Sequence, residues 1–176
     1  MKKKIFLFLI SAGTLFAVSD IRDLRTFSAD FEQQVVNDQK SRITYRGKLY
    51  ATQQQSRALW RYTSPIDKRI YYGNGKVVII EPELEQAIFA KLDKVPNLIT
   101  LLSKAKKIGD HTYRTTFNNI KYTIVFQNGK LSEIRYRDEL HNKIVIRFSH
   151  QSVNRPISDA TFAYRIPADY DILEQK

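Results

Sequence analysis

The chain contains no cysteine, which excludes disulfides, zinc–thiolate centres and a lipid-modified cysteine at a processing site. Glycine and proline are scarce, at 6 and 5 of 176 residues, and no linker, low-complexity tract or repeat divides the sequence. Long apolar runs are missing too. The longest, Ile5 to Phe16, has about a dozen residues, too few to cross a hydrocarbon core of about 30 Å as a helix. Reactive constellations are equally sparse. His111, His141 and His150 lack metal-ligand spacing, and no serine stands in a GxSxG context or beside a base. Glu81, Glu83 and Glu85 alternate and would offer a carboxylate pair of the kind a glycosidase needs, but Pro82 interrupts the strand that would align them. There is no phosphate loop. The expectation is a protein that is not an enzyme and needs no cofactor or metal.

What is present begins with an address. Lys2, Lys3 and Lys4 form a basic head, Ile5 to Phe16 an apolar stretch, and Ala17-Val18-Ser19 a small-x-small cleavage site. Residues 1–19 therefore read as a signal peptide and 20–176 as one exported domain, with a bacterial periplasm as the compartment. The formal charge is +11, or +8 without the three leader lysines. For an exported protein such a balance points to anionic headgroups or an acidic protein surface rather than nucleic acid. Arg61-Tyr62, Tyr113-Arg114 and Arg135-Tyr136-Arg137 place basic beside aromatic residues. In a strand such neighbours face opposite ways, so plain in/out alternation explains them without nucleic acid.

The rest is dominated by period-two alternation. Asp20 to Thr26 reads as one short amphipathic helix with Asp20 as N-cap. From there Phe27, Ala29, Phe31, Gln33 and Val35 share a face, and after a turn at Asn37–Lys40 so do Ile43, Tyr45, Gly47, Leu49 and Ala51. Between Gly47 and Ala87, turn signals at Gln53–Ser56, Ser64-Pro65, Asn74-Gly75 and Glu81-Pro82 separate further strands. A two-residue turn at Asn74-Gly75 sets Tyr72 opposite Val77 and Ile70 opposite Ile79. Tyr71, Val78 and Ile80 point the other way and are also apolar, so this hairpin is expected to be covered on both faces. After the strand from Glu85 to Leu92 the period shifts to 3.6. Pro96 opens a helix that Leu98, Leu101, Leu102 and Ala105 line on one side, with Lys104, Lys106 and Lys107 at its C-terminal end and Gly109-Asp110 as its stop.

Four more strands are read at 111–117, 120–127, 130–137 and 143–153. A strict two-residue turn at Asn128-Gly129 would oppose Ile124 to Glu133 and mix core with solvent faces. A bulge or a three-residue loop is therefore predicted there, restoring Ile124 opposite Ile134. Ser158 to Ala163 reads as one capped helical turn and Asp169 to Leu173 as a last strand. The expectation is a mainly β fold with short helices: one large curved antiparallel sheet of about ten to eleven strands. Whether such a sheet encloses a filled or a hollow interior is not decided by periodicity.

Several stretches together resemble the outer-membrane lipoprotein carrier protein family, LolA, over essentially the whole mature length. They are Phe27-Ser-Ala-Asp-Phe-Glu-Gln33, Gly47-Lys-Leu49, Trp60 with Pro65, Gly73-Asn-Gly-Lys76, Pro82 to Gln86-Ala87, and Phe162-Ala-Tyr-Arg-Ile-Pro167. The sequence departs from the family before Trp60. An Arg-Pro pair and a phenylalanine are usual there, and this chain has Gln53-Gln-Gln-Ser-Arg-Ala-Leu59, so the family's lid roles are not carried onto Arg57 or Ala58. The resemblance implies an incomplete, half-open barrel covered by a helical lid. It also implies a monomeric carrier for acylated lipoproteins, loaded by an inner-membrane ABC transporter of the LolCDE type and unloaded to a LolB-type acceptor. On that reading Phe31, Leu49, Trp60, Tyr62, Ile79, Ile124, Phe126, Ile146 and Phe148 line the lipid cavity, and Leu98, Leu101 and Leu102 form the underside of the lid. The competing expectations are an exported β-protein with a filled core, serving as a structural or envelope-binding module, and an exported hydrolase.

Overall fold

In a computed structural model, described for residues 24–91 and 98–175, the alternating segments become twelve strands. In chain order they are β1 Thr26–Val36, β2 Arg42–Thr52, β3 Arg57–Ser64, β4 Lys68–Gly73, β5 Lys76–Glu81, β6 Gln86–Lys91, β7 Lys106–Gly109, β8 Thr112–Phe117, β9 Ile120–Gln127, β10 Lys130–Arg137, β11 Lys143–Val153 and β12 Asp171–Gln175. One α-helix is described, α1 at Leu98–Ser103, between β6 and β7. The expected leader, residues 20–23 of the expected helix and Pro96 lie outside the described residues, while Leu24 and Arg25 are not helical and Thr26 already opens β1.

The strands form one sheet in the order β12-β6-β5-β4-β3-β2-β1-β11-β10-β9-β8-β7. Every ladder is antiparallel except β6–β12, which is parallel. The ends of this order, β12 and β7, are not paired, so the sheet is open rather than a closed barrel. The sheet is nevertheless curled. Tyr72 on β4 and Tyr122 on β9 stand six strands apart yet line one cavity. In a flat sheet about 29 Å would separate them.

Turn chemistry fixes the registers. Asn74 and Gly75 both adopt positive φ, 53° and 73°, as a tight hairpin turn between right-twisted strands requires. Tyr72 consequently faces Val77, and Ile70 faces Ile79. At Asn128-Gly129 the register slips between Leu131 and Glu133, and Ile134 lands opposite Ile124. The slip lets Leu131 and Ile134, three residues apart, both turn inward and be buried.

Three features correct the sequence expectations. The helix ends at Ser103, and Lys106 and Lys107 belong to β7, a twelfth strand that pairs only with β8. Gly109-Asp110 closes that hairpin instead of stopping the helix. A short edge strand carrying two lysines discourages edge-to-edge pairing with another molecule, which is a better use of these charges than a helix dipole. The capped turn after Ser158 is a 3-10 turn, Asp159–Phe162, with the Ser158 side chain accepting from the Ala160 backbone N–H. The last strand adds to the sheet in parallel.

The inner face forms one apolar cluster reaching from Leu24 and Phe27 through Trp60 and Tyr72 to Ile134 and Phe148, and α1 is part of it. On the outer face, buried Leu59, Val78, Ile80 and Ala87 form a separate layer. The segment before β12 covers it: the Tyr164 ring packs 5.6 Å from Tyr71 and 6.5 Å from Phe89. Arg57 clasps the segment, its guanidinium 2.5 Å from Asp159 Oδ1 and 4.9 Å from the centre of the Phe162 ring. Arg57 thus faces the C-terminal segment, on the opposite side of β3 from Ala58 and Trp60.

Candidate lipid cavity

The inner face is built from rows of residues that the ladders align across strands. One row runs Gln33–Ile146–Ile134–Ile124 across β1, β11, β10 and β9. Another runs Leu49–Trp60–Ile70–Ile79 across β2 to β5. Between them, Phe31 and Tyr62 flank Gly47. The Phe31 ring sits 5.0 Å from both Trp60 and Tyr62, at steep interplanar angles, the edge-to-face arrangement that aromatic quadrupoles favour.

A hollow of about 200 Å³ remains between these rows and α1. Of the expected cavity residues, Trp60, Tyr62 and Ile146 border it, and Leu98 and Leu101 border it from the helix side. Leu102 is buried beside them, and Ile99, which the sequence pattern did not single out, is buried as well. The other expected cavity residues pack in the core and not on the wall of the hollow as it stands. Phe31, Leu49, Ile124 and Phe148 are buried in the cluster, and Ile79 and Phe126 pack against it. Sequence reasoning missed Gln33, Ile70, Tyr72, Tyr122, Ile134 and Tyr136, all of which line the hollow. Each lies on a face recognisable as apolar, so the face was legible but the depth along the strand was not.

The lining carries no Lys, Arg, Asp or Glu. Larger depressions of about 510 and 390 Å³ lie on the surface, but charged side chains such as Arg137, Asp138 and Glu139, or Glu32, Arg46 and Lys48, bound them. There Asp30 holds Lys48 at 3.0 Å and His150 at 2.9 Å, and the Lys48 contact chiefly keeps its carboxyl below the usual range. Glu81 accepts from Gln86 Nε2 at 2.6 Å, while Glu83 sits in a 3-10 turn and Glu85 is left-handed. Among the described residues no group of three or more His, Asp or Glu is gathered as for a metal ion.

The polar groups among the lining residues are four tyrosine hydroxyls, one amide and the indole N–H of Trp60. Tyr62 donates to Gln33 Oε1 at 2.8 Å. Burial is the main cause that raises all four tyrosines, Tyr62, Tyr72, Tyr122 and Tyr136, above the ordinary phenol value, Tyr122 up to about 12. The folded state therefore favours the neutral phenols, whereas unfolded tyrosines ionise near pH 10. This contribution to stability is complete below pH 10 and is lost as pH rises through the folded values. The expected outcome is a urea midpoint that holds to about pH 9.5. Above pH 10 the midpoint falls, because the unfolding free energy drops by up to about 1.4 kcal/mol per pH unit for each of the four. Full phenolate absorbance in still-folded protein near pH 10 would contradict this.

A curled, open β-sheet with a mostly apolar, uncharged hollow beside a short helix has the build of a carrier for a greasy ligand. The family comparison agrees with that class. Residues 22–165 match the family described as outer membrane lipoprotein carrier protein LolA, and the chain belongs to that family. It is 36% identical over 173 residues to the outer-membrane lipoprotein carrier protein of Campylobacter jejuni, covering 98% of this chain and 99% of that one. To the protein of the same name from Helicobacter pylori strain HPAG1 it is 36% identical, covering 86% of this chain and 80% of that one. Among solved structures, a LolA-superfamily protein from Nitrosomonas europaea superposes with a TM-score of 0.51 at 10% identity, over 84% of this chain and 96% of that one. An uncharacterized conserved protein from Thermus thermophilus gives 0.54 at 8% identity, over 88% and 93%. At such low identity these two structures bear on the fold alone.

Proposed function

We propose that the protein is a periplasmic carrier that shields the acyl chains of lipoproteins and moves them from the inner to the outer membrane. The observation that carries this reading is the uncharged hollow roofed by Leu98 and Leu101, in a chain of the lipoprotein-carrier family. The leader at residues 1–19 supplies export. A LolCDE-type transporter loads the carrier and a LolB-type acceptor unloads it. No reaction is performed on the cargo, and the carrier works as a monomer.

The size of the hollow dictates how it loads. At about 200 Å³ it exceeds the roughly 150 Å³ that admits one benzene ring, but falls short of the 300 Å³ or more of pockets for larger ligands. Acyl chains enter only if α1 swings away, so α1 is the lid. Each methylene withdrawn from water contributes about 0.8 kcal/mol, and cargo that gained all of it would never leave. Because the lid leucines are buried when the carrier is empty, cargo displaces contacts that already exist and net affinity stays modest.

The test mixes purified protein with a detergent-released lipoprotein and looks for a soluble one-to-one complex. Wild type is expected to form it. Leu101→Glu, which sets a charge against the chains, is expected to bind at least about tenfold more weakly. A folded Leu101→Glu variant with unchanged affinity would remove the lid assignment, and a wild type that leaves the lipoprotein to aggregate would remove the carrier reading.

A further inference from the structure

The hollow is not lined as a pure hydrocarbon pocket would be. Four tyrosines and one glutamine converge on it: Tyr62, Tyr72, Tyr122, Tyr136 and Gln33. The only hydrogen bond that their side chains make among the described residues is the one from the Tyr62 hydroxyl to Gln33 Oε1. That bond consumes the amide oxygen and leaves the amide NH₂ as a donor. The hydroxyls of Tyr72, Tyr122 and Tyr136 make no hydrogen bond among the described residues, and none of them is fully shut away from a water molecule. The hydroxyls are also gathered together: Tyr62, Tyr122 and Tyr136 all act electrostatically on Tyr72, and Tyr136 acts on Tyr62. Phenylalanine would give the same rings and the same apolar wall without these polar atoms.

We propose that Gln33, held by the Tyr62 hydroxyl, forms with Tyr72, Tyr122 and Tyr136 a hydrogen-bonding subsite in the cavity for the ester carbonyl oxygens of the cargo's diacylglyceryl group. The donor set selects the ligand. Phenol hydroxyls and an amide NH₂ suit a neutral acceptor, and with no Lys or Arg on the wall there is nothing to neutralise a phosphate or carboxylate. The polar subsite sits among Trp60, Ile70, Ile134 and Ile146, so a group that is polar at one point and hydrocarbon beyond it matches the wall. An acyl ester has that form. The subsite fixes where the chains begin, and the apolar surface uncovered by α1 takes the remaining methylenes. This inference rests on the carrier reading and adds a recognition element to it, since simple hydrophobic shelter would hold any tail of similar length.

The test compares two ligands that differ only at the carbonyls: a diacylated lipopeptide with ester-linked chains and its dialkyl ether analogue. Wild-type full-length protein is expected to bind the ester form about three- to tenfold more tightly, the range of one net hydrogen bond. The variant with Gln33→Leu and Tyr62, Tyr72, Tyr122 and Tyr136 all changed to Phe is expected to bind both alike, with the ether affinity as in wild type or tighter. Circular dichroism verifies that it folds, and if it does not, Tyr72→Phe alone, which removes one oxygen atom, is expected to lower the ester preference. Equal binding of the two ligands by wild type, or an ester preference that is undiminished in the folded variants, would overturn the subsite and leave the carrier reading standing. Failure of wild type to bind either ligand would sink the carrier reading, and the subsite with it.

Discussion

Gly47→Ala is expected to destabilise the protein by at least about 3 kcal/mol, lowering the thermal midpoint by roughly 6–12 °C. A Cβ at this position would lie 2.0 Å from the carbonyl oxygen of Arg61 and 2.9 Å from the Phe31 ring. The first collision is with backbone in the neighbouring strand, at the point where the β2–β3 register shifts between Arg46 and Gly47. It cannot be relieved by a rotamer change, and ladder hydrogen bonds must open to make room. The double variant Gly47→Ala, Phe31→Leu separates the causes. It removes the ring contact but not the carbonyl contact, so stability is expected to stay low in thermal or urea unfolding. Recovery to the level of Phe31→Leu alone would show that the ring, not the strand, was the obstacle.

Phe31→Ala is expected to cost about 3–5 kcal/mol, the range for deleting a buried ring that its surroundings cannot refill. Phe31 is 3% exposed and opposes Phe148 across β1–β11 and Gly47 across β1–β2. It is the one ring that touches both Trp60 and Tyr62 at 5.0 Å. Removing it withdraws support from two residues of the cavity wall at once. Against a typical total of about 5–15 kcal/mol the variant is marginally folded. The same substitution is expected to enlarge the hollow, so tighter uptake of a small apolar probe should accompany the lower urea midpoint. A midpoint within about 1 kcal/mol of wild type would mean that the wall stands without this ring.

Local chemistry made much of this readable from the chain. The Asn128-Gly129 hairpin is a case in point: the conflict between a strict turn and the burial of Ile124 required an irregularity, and the register slip before Glu133 supplies it. The double-faced burial of the β4–β5 hairpin was equally legible, because Tyr71 and Tyr72 adjoin in sequence and are both large. Two things were not. β7 is four residues long, too short to show a period, and its lysines fitted a helix end as well as a protected edge. The position of the hollow was the other. Alternation says that Gln33, Tyr122 and Tyr136 face inward with Phe31, Ile124 and Ile134. Which inward residues border empty space depends on how the sheet curls over many strands, and no single strand encodes that.

The strand order also divides the sheet into two runs of successive neighbours, β1 to β6 and β7 to β11, that meet along the single seam β1–β11. Tyr72 belongs to one leaf and Tyr122 to the other, while α1 stands on the segment that joins them. The vessel is thus bound like a book, with a spine eleven residues long and a clasp across the fore-edge. Its capacity is set by how far the covers are folded, a strain spread thinly over every ladder, so one binding can accommodate volumes of different thickness without tearing a page.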